Sequence, residues 1–297
     1  MLGERTESRL SFAQFRHELV VLFKLRVVSL LLAAAVAGAF LAARGWPGWG
    51  NLLVLLVAGL VSAGGASALN EWLERDKDAL MNRTRGRPLV SGLFAGATWV
   101  PWLAGLMIVA PSAALLPFNP ALALFLFLGA FIYIVVYTLW LKPRTALNIV
   151  IGGAAGSCAV LSGSAATGAW ADPAALLLAA LVFLWTPIHF WSLALVYRED
   201  YARARVPMLP VRASPRRAAS WGLVHGLGAG GFGLALIAVS RLGWVYAIPA
   251  GAATAVLWWL GIGLVIDPSK RRAWRLFHAS NFYLLIVLVA VFAATLA

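Results

Sequence analysis

Charge is scarce in this 297-residue chain, and acidic charge scarcest of all: 12% of residues are charged, with 11 Asp and Glu against 24 Lys and Arg. Soluble domains carry about twice that share. With 62% of residues hydrophobic and gathered in long runs, the composition excludes a pair of soluble domains and points to an all-α polytopic membrane protein with the lipid bilayer as its medium. Cysteine is almost absent. The one Cys158 lies inside an apolar run, so no disulfide framework is expected. The first 26 residues have no early apolar core and carry Glu4, Glu7, Arg5, Arg9 and Arg16, which fits neither a cleavable signal peptide nor an acid-free transit peptide. The net charge of +13 comes from basic residues lying between the apolar runs, so it gives no reason to expect nucleic acid as a partner.

Nine apolar stretches read as spans, at about 27–44, 51–70, 94–115, 120–141, 147–166, 173–196, 219–240, 245–265 and 278–296. In lipid the backbone must satisfy its own hydrogen bonds, so each is expected to be a helix. Of the 24 Lys and Arg, all but Arg44 and Arg241 fall in the N-terminal arm or in the loops after spans 2, 4, 6 and 8. By the positive-inside rule the N-terminus and those four loops are cytoplasmic. Acidic residues follow the same partition, with only Asp172 on the far side. The expected fold is a bundle of about nine transmembrane helices with a central cavity open to the cytoplasm. A cytoplasmic arm spans 1–26, and two charged loops, about 70–93 and 197–217, carry the chemistry.

The first polar stretch reads NEWLERDKDALMNRTRGRPLVSG, from Asn70 to Gly92. It holds Glu71, Glu74, Asp76 and Asp78 beside Arg75, Lys77, Arg83, Arg85 and Arg87, more than a third of all the acids in the chain. Asn70, Glu74 and Asp78 stand at i, i+4 and i+8, which on a helix places them on one face with a drift of about 40° per step. An amide and two carboxylates beside arginines suit divalent cations held against a phosphorylated ligand, because Mg²⁺ shares its shell between few carboxylates, phosphate and water. A plain solvated loop is the competing reading, and the helical register of the acids argues against it. Asp76 faces away from Asn70 on a straight helix.

The second polar stretch follows span 6, in LVFLWTPIHFWSLALVYREDYARARVPMLPV. Glu199 and Asp200 stand between Tyr197 and Tyr201, with Arg203 and Arg205 after them. His189 precedes Asp200 by eleven positions, about 20° away on the same face of a continuous helix and roughly 16 Å deeper. An ionisable residue within a span is a functional candidate, the alternative being a neutral imidazole bonded across helices. Pro187 is expected to kink the span. Val206 to Pro210 is too apolar for a solvated loop and reads as a lid. Lys142 and Arg144 after span 4 are either phosphate clamps or plain positive-inside charges.

These strings resemble the UbiA-type intramembrane prenyltransferases. Asn70-x-x-x-Glu74-x-x-x-Asp78 looks like their first aspartate-rich motif. Within that superfamily the whole first stretch, with Thr186-Pro-Ile-His-Phe-Trp191 and Tyr197-Arg-Glu-Asp-Tyr201 through Met208-Leu-Pro210, is similar to the protoheme IX farnesyltransferases, or heme O synthases. Leu141-Lys142, Asn148 to Gly156 and Leu276-Phe277-His278 fit the same family, and the likeness runs from about Phe23 onward. Glu74 stands where an aspartate is usual, Leu25 and Ile188 where prolines are usual, and Cys158-Ala159 where a proline pair is common.

The resemblance implies a single prenyltransferase domain over 27–297 that transfers the farnesyl group of farnesyl diphosphate to a vinyl group of heme b, with hydration. Mg²⁺ is the implied cofactor, held by Asn70, Glu74, Asp76, Asp78, Glu199 and Asp200. All of these but Asp76 are also the implied catalytic residues. Arg83, Arg87, Lys142 and Arg203 are the implied diphosphate ligands, and His189, Tyr197 and Tyr201 the implied heme contacts. The implied setting is a bacterial inner membrane, with a heme A synthase or terminal oxidase as partner. Rival readings are prenyl transfer to an aromatic quinone precursor, a polytopic transporter, and a heme-binding assembly factor without catalysis. The TPIHFW string opposes the first. Polar groups confined to one side oppose the second, and two acidic clusters oppose the third.

Overall fold

The computed structural model describes residues 12–90, 94, 97–240 and 242–297, all in helices, turns or irregular backbone. Arg5, Arg9, Glu4, Glu7, Ser91, Gly92 and Arg241 lie outside the described residues. The elements in order are α1 (Phe12–Leu22), α2 (Leu25–Ala43), α3 (Trp49–Asp78), α4 (Val100–Leu115) and α5 (Pro120–Phe131), which runs on as a π-helical stretch (Ile132–Leu141). Then come α6 (Asn148–Gly152), α7 (Ala154–Ala166), α8 (Pro173–Val196), α9 (Arg198–Arg203), α10 (Leu209–Arg212), α11 (Pro215–Ser240), α12 (Gly243–Ile266) and α13 (Lys270–Leu296). Among the described residues eight helical stretches are long and apolar enough to cross a membrane, and α4 is a ninth, shorter one.

The spans close into a ring. Each packs on the next, from α2 through α3, α4, α5, α7, α8, α11 and α12 to α13, and α13 returns to α2. Contacts of α2 with α7 and of α8 with α13 cross the ring and fill its apolar part. A core of α2, α7, α8, α11, α12 and α13 residues, including Val160, Leu178, Leu181, Tyr246, Leu257 and Val287, is almost wholly buried. The α2–α7 crossing needs glycine: a Cβ on Gly163 would lie 1.7 Å from the Ala35 carbonyl oxygen, and one on Gly38 would lie 2.2 Å from that of Val160. Asp172, the lone acid expected on the far side, caps α8. Its Oδ1 accepts from the Ala174 and Ala175 N–H groups at 2.9 and 3.1 Å, with Pro173 at the first helical position.

Several boundaries differ from the sequence reading. Span 2 does not end at 70: α3 runs thirty residues to Asp78, so the first motif lies on helix rather than loop. The third span starts at Val100 instead of 94, where Pro101 suits a helix start. The last span starts at Lys270, which places Trp274, Phe277 and His278 on α13. The arm is not wholly detached. Leu22 is buried against Ala68, Leu89, Val100 and Ala104, and so α1 is part of the body. Pro187 lies inside a helix that is continuous from Pro173 to Val196.

Candidate active site

The inner face of α3 carries the first motif, and the expected register holds: Asn70, Glu74 and Asp78 are all buried. Asp76, one step round the helix, is 93% exposed and meets only Arg75, at 3.8 Å. After Asp78 the chain curls back over the helix end. Thr84 Oγ1 donates to the Asp78 carbonyl at 3.0 Å, and Arg87 Nη1 donates to Asp78 Oδ2 at 2.5 Å. Burial disfavours the Arg87 cation, but Asp78 and then Glu71 more than offset this and raise its pKa.

Glu74 is met from across the ring. The π-helical stretch delivers Tyr133, Tyr137 and Thr138 and ends at Lys142, whose N–H bonds the Tyr137 carbonyl five residues back. Lys142 Nζ lies 2.6 Å from both Glu74 carboxylate oxygens and donates its hydrogen bond to Oε2, so the buried Oε1 has ion-pair contact but no hydrogen bond. Burial opposes the Lys142 ammonium, yet Glu74 raises its pKa above the ordinary lysine value. Asn70 Nδ2 donates to Glu74 Oε2 and to Thr138 Oγ1, each at 3.0 Å. Its Oδ1 accepts from Lys24 Nζ at 2.5 Å. Burial, then repulsion by Arg87, lowers the Lys24 pKa to about 7 against the pull of Glu74 and Glu71.

The second motif joins the first through the turn after α3. Asp200, on α9, is buried, accepts from the Arg83 backbone N–H at 3.3 Å, and pairs with Arg203. Arg83 reaches the Tyr201 hydroxyl at 3.5 Å and lies 5.5 Å from the centre of the Tyr197 ring. Glu199 is not in this cluster. It is 80% exposed and pairs with Lys270 at 3.1 Å. Arg144 is also outside, bonding the Leu139 and Trp140 carbonyls. Val206 and Met208 are buried against Met81, Tyr137, Ile149, Trp191 and Tyr201, so the segment read as a lid is seated on the motif.

The helical face expected to join His189 to Asp200 does not exist, because α8 ends at Val196 and α9 starts a new axis after Tyr197 (φ −102°, ψ 29°). His189 turns instead to α13. Its Nδ1 lies 2.9 Å from Ser280 Oγ, which is the cross-helix imidazole weighed as the alternative. Trp185 stacks on its ring at 4.3 Å and Phe277 at 4.7 Å. Trp274 stacks on Phe277 and meets Tyr197 edge-on, so an aromatic row leads from His189 to the residue beneath Arg83.

Comparison with known proteins decides the family. A family model described as the UbiA prenyltransferase family matches residues 31–292. The chain belongs to that family. It is similar to Protoheme IX farnesyltransferase 2 of Paramagnetospirillum magneticum, with 42% identity over 92% of this chain and 95% of that one. To Protoheme IX farnesyltransferase of Metallosphaera sedula it is 40% identical over 91% and 93%. Among solved structures, a digeranylgeranylglyceryl phosphate synthase matches with a TM-score of 0.78 at 14% identity, over 94% of this chain and 98% of that one. A UbiA homolog from Archaeoglobus fulgidus, bound to DMAPP and Mg²⁺, matches with a TM-score of 0.64 at 16% identity, over 93% and 99%. These likenesses establish the UbiA fold and an intramembrane prenyltransferase.

For a UbiA enzyme the donor set is chemically apt for Mg²⁺: buried hard oxygens on Asn70, Glu74, Asp78 and Asp200, with Glu74 Oε1 accepting no hydrogen bond although Lys142 Nζ lies 2.6 Å from it. Among the described residues no three acids or histidines converge as a ready metal cage. Instead basic side chains hold the oxygens, one carboxylate at a time. Three residues escaped the sequence reading. Lys24 reads in the sequence as one more basic residue of the arm, yet its ammonium reaches Asn70. Glu71 is fully buried, with Oε2 unpartnered and Oε1 3.5 Å from the Leu89 N–H. Tyr133 lies within an apolar run, but its hydroxyl accepts from Lys24 Nζ at 3.2 Å and its carbonyl from Thr138 Oγ1 at 2.8 Å.

Proposed function

We propose that this UbiA-family enzyme transfers the farnesyl group of farnesyl diphosphate to a vinyl group of heme b, giving heme O and diphosphate. The observation that carries the reading is the convergence of two acidic motifs through the Arg83 N–H to Asp200 bond, with Asp78, Glu74 and Asp200 each already matched to a basic side chain. Identity of 40–42% to proteins named protoheme IX farnesyltransferase supports heme as the acceptor.

Asn70, Glu74, Asp78 and Asp200 would hold Mg²⁺, which supplies positive charge against the departing diphosphate. Asp76 and Glu199, being exposed, serve at most its approach. Arg87, Lys142, Arg203 and Arg83 are held at the motif by carboxylates or tyrosines, and a diphosphate competes for those same donors with stronger charge-assisted bonds. The C1–O bond of the donor breaks with its electron pair on the diphosphate. The vinyl π pair then forms the new carbon–carbon bond, and water adds to the porphyrin-side cation and sheds a proton. The stacked rings of Tyr133 and Tyr137, 6.0 Å apart beside Lys142, offer electron-rich faces to the allylic cation. His189 has Nδ1 engaged by Ser280, which leaves Nε2 to meet heme iron. The row of Phe277, Trp274 and Tyr197 leads from that residue toward Arg83, whose guanidinium also reaches Tyr201.

By the Lys and Arg partition the site faces the cytoplasm of a bacterial inner membrane, and a heme A synthase or terminal oxidase is the expected recipient of the product. The test is incubation of the purified protein with heme b, farnesyl diphosphate and Mg²⁺, with and without chelator, read by porphyrin mass. A metal-dependent farnesyl and water gain on heme supports the reading. Unchanged heme beside an active control enzyme sinks it.

A further inference from the structure

Lys24 stands where α1 ends and α2 begins, in the left-handed backbone region that L side chains rarely adopt (φ 48°, ψ 45°). Its carbonyl accepts from the Val27 and Val28 N–H groups and starts α2. Its side chain crosses to the donor motif, where Nζ meets Asn70 Oδ1 at 2.5 Å and Tyr133 Oη at 3.2 Å. The Asn70 carboxamide is therefore fixed in one sense. Nδ2 feeds Glu74 and Thr138, so Oδ1, the one atom of Asn70 able to contact a cation, faces the ammonium. The basic partners of Glu74, Asp78 and Asp200 are each paired with a carboxylate, whereas Lys24 rests on a neutral amide and a phenol. An ammonium held by neutral dipoles gains more from an anionic phosphate oxygen than one already paired.

We propose that Lys24 is a displaceable placeholder: it occupies the cation's place at Asn70 and exchanges Asn70 for a diphosphate oxygen when a divalent metal and the prenyl donor bind. The inference rests on the prenyl-donor reading of this site and adds one more basic ligand to it, from an element that reading left outside. It requires opposite signs for two ligands. Mg²⁺ alone competes with Lys24 for Asn70 Oδ1, while diphosphate gains from its charge.

The experiment is calorimetric titration of the full-length protein in detergent with Mg²⁺ alone, then with inorganic pyrophosphate at saturating Mg²⁺, for wild type, Lys24→Met and Lys24→Arg. Lys24→Met is expected to weaken pyrophosphate by about tenfold, to bind Mg²⁺ as well as or better than wild type, and to raise KM for farnesyl diphosphate more than it lowers kcat. Lys24→Arg restores pyrophosphate affinity. If Lys24→Met fails to fold, Lys24→Gln makes the same comparison. Equal weakening of both ligands, or wild-type pyrophosphate affinity in a folded neutral variant, overturns the proposal. If wild type itself shows no Mg²⁺-dependent pyrophosphate binding, the prenyl-donor reading falls, and this inference with it.

Discussion

The backbone N–H of Arg83 donates to Asp200 Oδ2 at 3.3 Å, joining positions 117 residues apart. One carboxylate thereby fixes the turn after α3 and also neutralises Arg203. Because a backbone donor is used, this bond survives any substitution at Arg83 that keeps the turn and its N–H, whereas it is lost with the Asp200 carboxylate.

Asp200 and its neighbour therefore separate sharply. Asp200→Asn is expected to lower kcat/KM by about a hundredfold, the scale of losing one transition-state electrostatic contact. Glu199→Gln, at an exposed residue paired with Lys270, stays within about threefold of wild type, since exposed ion pairs contribute little. Steady-state kinetics with farnesyl diphosphate varied decide it, and equal losses would place Glu199 in the site.

The Lys142–Glu74 pair is buried on both sides. Lys142→Met strands a carboxylate, and Glu74→Gln strands an ammonium. Each is expected to destabilise by about 3 kcal/mol or more, while the double variant recovers much of that loss because both charges leave together. Thermal melting of the four proteins in one detergent, without metal, measures the coupling. Additive losses would mean that the pair is solvated.

Lys24 gives a pH signature in metal-free protein. Its folded pKa, lowered to about 7, lies below the ordinary lysine value of about 10.4. Between those values the unfolded chain binds a proton that the folded chain has shed, so stability rises with pH across that window. Burial sets the shift, Arg87 in the turn and Lys142 after the π-helical stretch add to it, and Glu74 and Glu71 on α3 oppose it. The melting temperature of wild type relative to Lys24→Met should climb from pH 7 to pH 9.5, and a flat difference counts against the shift.

Helix contact makes a further distinction. Gly163→Ala puts a methyl 1.7 Å from the Ala35 carbonyl oxygen, so α2 and α7 must separate, at a cost of about 1–3 kcal/mol or more. Gly231→Ala, with open space around its Cβ position, should be neutral or stabilise by up to about 1 kcal/mol through helix propensity. Melting temperatures that rank the two the other way would contradict the close crossing.

His189 separates acceptor from donor. Replacing it with Leu removes the Ser280 contact and the free ring nitrogen, and should weaken heme b, read by Soret titration, about tenfold. Pyrophosphate binding should not change. Loss of both would mean that His189 serves packing between α8 and α13.

The sequence by itself determined the membrane class, the nine apolar stretches and the one-sided arrangement of charge, because lipid forces the backbone into helices and length alone sets what crosses. It also placed Asn70, Glu74 and Asp78 on one face, since a fixed helical period needs no tertiary information. Only the tertiary structure decided which acids are buried. Asp76 and Glu199 share a motif with Asp78 and Asp200 but turn outward, and the break at Tyr197 sends His189 to α13 rather than to the aspartate eleven residues on. It alone brought Lys24 to Asn70 and paired Lys142 with Glu74, from 46 and 68 residues away along the chain. Pairings of that kind come from ring closure and from a π-helical register, and neither leaves a local periodicity in the sequence to read.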